Sequence, residues 1–151
     1  MSSDNAVARP TGRPALWYWA AAGLGLAWNI FGAVQFVGSL SATPESLQAQ
    51  GMTADQAAVM LGYPVWMTVV FAIGVFGGVL GCGLLLLRRA AAVPVFAVSL
   101  AGYIALYIGD IVHGVFAALG APQVAVLSAV VLIAAALLWV SRRVRAQGIL
   151  V

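Results

Sequence analysis

Four long apolar stretches, separated by short polar segments, dominate this chain of 151 residues. Each stretch nearly matches or exceeds the roughly 20 residues that cross a hydrocarbon core about 30 Å thick. Because backbone polar groups in lipid must bond within the segment, helices are the conformation that fits these stretches. The pattern predicts an all-α integral membrane protein, a four-helix bundle. The predicted transmembrane helices cover residues 16–40, 64–87, 93–118 and 123–141.

The polar segments predict the connections between these helices. Residues 41–63 carry two helix-start signals, so short helices are expected in this outer loop, with a break at Gly51. Thr43-Pro44-Glu45 places a cap, a first-turn proline and an early acid in order. Thr53 and Gln56 have capping-box spacing. The other connections are expected to be a cytoplasmic tail (1–15), an inner loop (88–92), an outer turn (119–122) and a second cytoplasmic tail (142–151).

Composition supports the membrane assignment. Hydrophobic residues make up 64% of the chain and charged residues 7%, and the mean hydropathy is +1.05. A soluble domain has roughly 25% charged residues, so this chain has too little polar surface to be covered by water alone. The pI near 9.6 comes from arginines at helix ends, which act as topology signals and lipid contacts. Nucleic acid is therefore not an expected partner.

The arginines predict the orientation. All seven cationic side chains fall on one side of the four stretches, whereas the loop 41–63 contains Glu45 and Asp55 and no arginine. This is the positive-inside pattern of a four-helix membrane protein with both ends in the cytoplasm. Five of the arginines are candidate contacts to anionic lipid: Arg88, Arg89, Arg142, Arg143 and Arg145.

Glycines are expected to set the packing of the bundle. The second stretch carries two overlapping GxxxG patterns on one helix face, formed by Gly74, Gly77, Gly78 and Gly81. Gly25 and Gly32 follow heptad spacing in the first stretch. Because lipid provides no hydrophobic drive between helices, close backbone approach over glycine supplies much of their attraction. This face is expected to pack within the chain or, alternatively, to form a homodimer.

Polar residues within the apolar stretches are the candidate ligand or proton site. Asp110 and His113 lie three residues apart on one helix flank, and an acid in this environment needs a partner or water. His113 is the expected partner of Asp110, since each charge favours the other. The alternative is a structural pair that fixes the third helix. Four further residues complete the candidate site: Asn29, Gln35, Tyr103 and Tyr107.

Several chemistries are not supported by the residues present. Cys82 is the single cysteine and His113 the single histidine, so neither a multi-cysteine metal site nor a pair of haem ligands is expected. A phosphate-binding loop with a lysine is also excluded, because the chain contains no lysine. No cofactor, metal site or catalytic residue is predicted, and the chain is expected not to be an enzyme.

The chain resembles an uncharacterised family of small bacterial inner-membrane proteins with four helices. The similar stretches span nearly the whole chain, and the most specific of them is the second-helix block from Val75 to Gly81, which leads through Leu84–Leu87 into Arg88-Arg89. The others are Trp28–Gly32, Pro64–Trp66, Val93–Phe96, Ser99-Leu100, Arg142-Arg143 and Gly148–Leu150. The resemblance implies the fold and the location. Some members are labelled as sugar transporters.

Two functional interpretations follow. The first is a non-enzymatic accessory or helper component that binds a membrane-protein partner, a second copy of itself or lipid through glycine-rich helix faces. The alternative is an oligomeric small-solute transporter with a polar vestibule open to the outside. Transport requires a polar route through the inner half of the bundle, where the sequence offers few polar residues.

Overall fold

Seven helices make up the fold in the computed structural model, which describes residues 13–151. The first twelve residues of the predicted tail 1–15 lie outside this range. The helices are α1 (Leu16–Leu40), α2 (Pro44–Ala49), α3 (Ala54–Leu61), α4 (Val65–Leu86), α5 (Ala92–Val112), α6 (Val115–Leu119) and α7 (Ala121–Ala146). Four of them, α1, α4, α5 and α7, are long and apolar enough to cross a membrane. The chain is thus an all-α, multi-pass membrane protein.

The two short helices of the loop begin at threonine caps. Thr43 and Thr53 each accept a hydrogen bond from a backbone N–H three residues later, from Ser46 and Gln56 respectively. The side chains of Ser46 and Gln56 accept in return from the threonine N–H groups, so both helices have a complete capping box. Between the helices the chain turns at Gly51, whose φ of +95° favours glycine.

The four long helices are arranged so that α4 and α5 form the central pair. Helix α1 packs on α4, and α7 packs on α5, while α1 and α7 make the weakest contact around the bundle. We call the end of the bundle that carries α2, α3 and α6 the outer end and the opposite end the inner end, after the orientation predicted from the arginines. At the outer end α3 packs against α6, which also contacts α5 and α7. This arrangement leaves much of α1 and α7 facing outward.

The glycines of α4 meet side chains of the neighbouring helices. A Cβ added at Gly74 would lie 2.7 Å from the Tyr103 ring, and one at Gly81 would lie 2.6 Å from the Phe96 ring. Gly77 faces Ser99 in the same way, so three glycines of α4 face α5. The fourth, Gly78, lies directly under Asn29 of α1. The face is therefore occupied within the chain.

The other two predicted packing glycines, Gly25 and Gly32, also face neighbouring helices, but at different distances. A Cβ at Gly25 would lie 2.8 Å from Leu137 of α7, which makes this point a close approach between α1 and α7. At Gly32 the nearest atom, in Val75, would be 3.8 Å away, which is an ordinary contact.

The third and fourth predicted spans differ from the observed helices. The predicted helix 93–118 ends at Val112, and Gly114 with a φ of +71° turns the chain into the separate helix α6. The apolar run Val115–Leu119 hides this break from a hydropathy pattern. Helix α7 is longer than expected at both ends, because Gly120 alone makes the turn and the arginine-rich segment continues the helix.

The predicted second tail is largely ordered and part of the core. After α7, Gly148 (φ +71°) reverses the chain so that Ile149 and Leu150 are buried against the inner ends of α4 and α5. The backbone of Val151 is paired with the α4–α5 loop: its N–H donates to the Arg88 carbonyl (2.9 Å), and its carbonyl accepts from Ala90 N–H (2.8 Å). The side chain of Arg88 donates to the Ile149 carbonyl at 3.1 Å. We call Gly148–Val151 the closing segment.

Candidate functional site

Asp110 is a buried acidic residue whose carboxylate is hydrogen-bonded on both oxygens. It lies in the last turn of α5 and its side chain is completely buried. Its two carboxylate oxygens each accept one hydrogen bond, Oδ1 from the Tyr63 hydroxyl at 2.7 Å and Oδ2 from Gln123 Nε2 at 3.1 Å. A buried acid requires such donors, because removal from water destabilises it unless it is bonded.

The positions of Tyr63 and Gln123 in the chain place both donors at the same end of the bundle as Asp110. Tyr63 precedes Pro64, where α4 begins, and Gln123 lies in the first turn of α7, directly after the turn at Gly120. Both positions are at the outer end of the bundle, where α5 ends. Asp110 thus joins the α3–α4 connection, α5 and α7 through side chains that are 47 and 13 residues away in sequence.

Tyr63 is held in its hydrogen-bonding form. Burial raises the pKa of its hydroxyl well above the ordinary value of 10.0, and the hydrogen bond to Asp110 and the negative charge of that residue raise this pKa further. The hydroxyl therefore remains a proton donor to Asp110 throughout the neutral pH range.

The expected pairing of Asp110 with His113 is wrong. Both hydrogen bonds of the carboxylate come from Tyr63 and Gln123, and His113 contributes neither. His113 is the residue at which α5 ends; it is exposed, and its ring lies 5.9 Å from the Trp66 ring. The spacing of three residues correctly indicated that the two side chains share one flank of the helix. It could not reveal that donors from other elements form the hydrogen bonds to the carboxylate.

Tyr103 and Tyr107 also have contacts of their own. The Tyr103 ring is buried against the backbone of Gly74 in the middle of the bundle. The Tyr107 hydroxyl lies 3.2 Å from Ser128 Oγ, in a bond between α5 and α7, and its ring stacks edge-on with Phe116 at 4.9 Å. Neither hydroxyl bonds to Asp110. An outward-facing groove of about 320 Å³, otherwise lined by aliphatic side chains, lies beside the Tyr107–Ser128 pair.

Asn29 occupies the centre of the bundle, away from the Asp110 cluster. Its Nδ2 donates to the Gly25 carbonyl at 2.8 Å and contacts Cys82 Sγ at 3.8 Å. Around it, side chains of all four long helices leave no space large enough for a water molecule. The Ser99 hydroxyl next to this region donates to the Gly74 carbonyl at 2.5 Å. The centre is therefore filled by protein atoms.

Gln35 is separate from every other member of the predicted site. Its side chain is exposed on the outside of α1. Within residues 13–151, the side-chain hydrogen bonds of α1 are those of Tyr18, Asn29 and Ser39, and Gln35 takes no part in them. The structure thus brings none of Asn29, Gln35, Tyr103 and Tyr107 into hydrogen-bonding contact with Asp110.

Sequence reasoning missed Tyr63 and Gln123, the two residues that complete the cluster. A signal was present, because both residues are hydrogen-bond donors and both flank the outer ends of predicted spans. We call Tyr63, Asp110 and Gln123 the outer cluster. Within the described residues, no group of three or more histidine, cysteine, aspartate or glutamate side chains is placed to hold a metal ion.

The five arginines predicted to contact lipid lie at the opposite end of the molecule. Four of the predicted lipid contacts, Arg89, Arg142, Arg143 and Arg145, are exposed there, and Arg88 is half-buried through its bond to the closing segment. The Arg143 guanidinium lies over the ring of Trp139, 5.2 Å from its centroid. This pair places a cation and an interfacial aromatic ring together at the end of α7.

Comparison of the chain with protein-family models, with curated proteins and with solved structures gave no match.

Proposed function

We propose that this chain is a non-enzymatic accessory component of the bacterial inner membrane, with both ends in the cytoplasm, that binds a membrane-protein partner or lipid. The observation that carries the proposal is the filled centre of the bundle. Asn29 packs on Gly78, the Tyr103 and Phe96 rings pack on Gly74 and Gly81, and the space around Asn29 has no room for a water molecule. Such an interior suits a rigid scaffold that acts through its outer surface.

The outer cluster supports the same proposal. The carboxylate of Asp110 is buried and bonded to two donors of the chain itself, so its chemistry is used to hold three elements together. A transporter site would instead offer such groups to a solute and to water. Asp110 and Tyr107, two residues of the predicted site, are bonded to or in contact with Tyr63, Gln123 and Ser128 of the chain itself.

The contact surface for a partner differs from the expected one. The α4 glycine face is covered by α1 and α5, so the surfaces open to a partner are the outward faces of the long helices, largest on α1 and α7, and the arginine-rich end. Lipid binding is favoured at that end, because exposed arginines and Trp139 lie where anionic headgroups are found. The orientation with this end inside follows the positive-inside rule.

Purification of the tagged protein from its native membrane in mild detergent tests the proposal. We expect either a stoichiometric partner protein or an anionic lipid to purify with the chain. A partner or lipid that binds the arginine-rich end should be removed by washing at high salt, whereas one that binds elsewhere should remain. Substitution of Arg142, Arg143 and Arg145 by glutamine provides the matched comparison for lipid. A chain that purifies alone and free of lipid, and that makes vesicles permeable to small solutes, would contradict the accessory role and favour the transporter alternative.

A further inference from the structure

Gln35 is the one side chain of α1 that is polar, exposed and without a hydrogen bond among the described residues of that helix. It lies five residues before the end of α1 at Leu40, so its Cα is about 7–8 Å below that end. With 25 residues, α1 is about 37 Å long, which exceeds a hydrocarbon core of roughly 30 Å by only a few ångströms at each end. Gln35 is therefore placed within the apolar layer.

The direction in which the Gln35 side chain leaves α1 increases its need for a hydrogen-bond partner. In an α-helix the Cα–Cβ bonds tilt toward the N-terminus of the helix. For α1 that direction leads from the end at Leu40 toward the middle of the membrane. The Gln35 side chain thus leaves the helix in the direction away from the nearest headgroups, and its N–H and C=O groups need a partner within the lipid layer.

We propose that this partner is the Gln35 side chain of a second copy of the chain, in a symmetric interface formed by α1 against α1. Copies inserted with the same orientation are related by a two-fold axis along the membrane normal, so residue 35 lies at one depth in both. A carboxamide has both donors and acceptors, and two of them facing each other form two N–H···O bonds. This self-complementarity favours a second copy over an unrelated partner.

The surroundings of Gln35 allow α1 helices to approach each other. Gly38, one turn further along, is exposed, and a Cβ added to it would meet no atom of the chain within 4 Å. Phe31, one turn before, is 57% exposed and offers an apolar contact on the same flank. Much of the α1 surface faces outward, which leaves room for another helix to pack on it. The inference concerns self-association and stands apart from the proposed accessory role.

Disulfide crosslinking of the full chain in native membranes tests the interface. The natural cysteine, Cys82, is completely buried, so the unaltered chain should not crosslink. We expect Phe31→Cys to form a dimer of twice the chain mass under mild oxidation. The comparison variant Ile108→Cys on α5, with a similar exposure of 54%, should remain monomeric.

Removal of the carboxamide separates the hydrogen bond from chance proximity. In the Phe31→Cys chain, Gln35→Leu or Gln35→Met should lower dimer association about tenfold, as expected for the loss of two interhelical hydrogen bonds. Val37→Leu, at an exposed position on a different side of α1, should leave it unchanged. Equal crosslinking with and without the carboxamide, crosslinking to a different protein, or no crosslinking at position 31 would each overturn the proposal. Unchanged thermal unfolding of both Gln35 variants in detergent confirms that the bundle itself is intact.

Discussion

The carboxamide of Asn29 lies directly on the Cα of Gly78, in the space that any larger side chain on α4 would need. Asn29 cannot readily move away, because it is buried and its Nδ2 is bonded to the Gly25 carbonyl at 2.8 Å. The contact between α1 and α4 is thus fixed by one residue without a side chain and one with a bonded amide. Its consequences for stability can be measured.

Replacement of Gly78 by alanine should destabilise the bundle by about 1–3 kcal/mol, the usual range for overpacking of a tight interior. The matched control is Gly83→Ala, also in α4, where a Cβ would meet nothing within 4 Å. Thermal or denaturant unfolding in detergent measures both variants. Asn29→Ala combined with Gly78→Ala should cost less than the sum of the two single changes, because the clash is removed. Strict additivity would contradict the proposed contact.

Tyr63→Phe should destabilise the outer end by about 1 kcal/mol, since one hydrogen bond to a buried acid is lost. The folded-state pKa of Tyr63 is raised above 10.0, so its stabilising contribution is complete below that pH. As the pH rises above 10.0, the tyrosine of the unfolded chain ionises and the contribution declines. The free energy of unfolding, measured at several pH values, should therefore differ between wild type and Tyr63→Phe by a constant amount near neutrality. This difference should become smaller at high pH. A difference that widens above pH 10 would contradict this assignment.

Asp110 and His113 should behave as independent residues. Asp110→Asn puts an amide N–H where the carboxylate accepts from Tyr63 or Gln123, and the loss should be about 1–3 kcal/mol. His113→Ala should change stability little, because its ring is exposed and touches only the Trp66 region. The double variant, followed by thermal unfolding, should equal the sum of the two. A large coupling between them would restore the pairing that the structure does not contain.

The closing segment should contribute to stability through its side chains and its turn. Ile149→Ala and Leu150→Ala should each cost about 2 kcal/mol, since both side chains are buried. Val151→Ala is the matched control, because that side chain is 65% exposed and its bonds to Arg88 and Ala90 are made by the backbone. Gly148→Ala should cost about 1 kcal/mol through its left-handed φ. Unfolding of purified protein in detergent measures all four.

The sequence predicted the four spans and the capped loop helices because these depend on local signals. Apolar runs of sufficient length define α1 and α4 almost to the residue, and Thr43 and Thr53 mark the starts of α2 and α3. The end of α5 was not predictable from hydropathy, because the apolar run Val115–Leu119 follows Gly114 and continues the stretch. A glycine with positive φ is visible only when the backbone is known.

Contacts between distant residues limited the prediction of the site. The partners of Asp110 lie in two other elements, and no spacing rule links Tyr63 or Gln123 to it. The sequence contains a clearer local signal for the turn that directs the closing segment back onto the bundle. A glycine just after a helix, followed by an apolar residue, is the pattern of a helix C-cap with a hydrophobic contact, as Gly148 and Ile149 show.

The placement of Ile149 and Leu150 also constrains how the protein is made. These side chains belong to the same buried cluster as Tyr18, near the start of the first span, whose hydroxyl donates to the Leu85 carbonyl. A ribosome delivers position 18 early and positions 149 and 150 only after α1, α4, α5 and α7 have been synthesised. These four helices must therefore enter the membrane before the cluster is complete, and the cluster forms only when residues 149 and 150 emerge and dock.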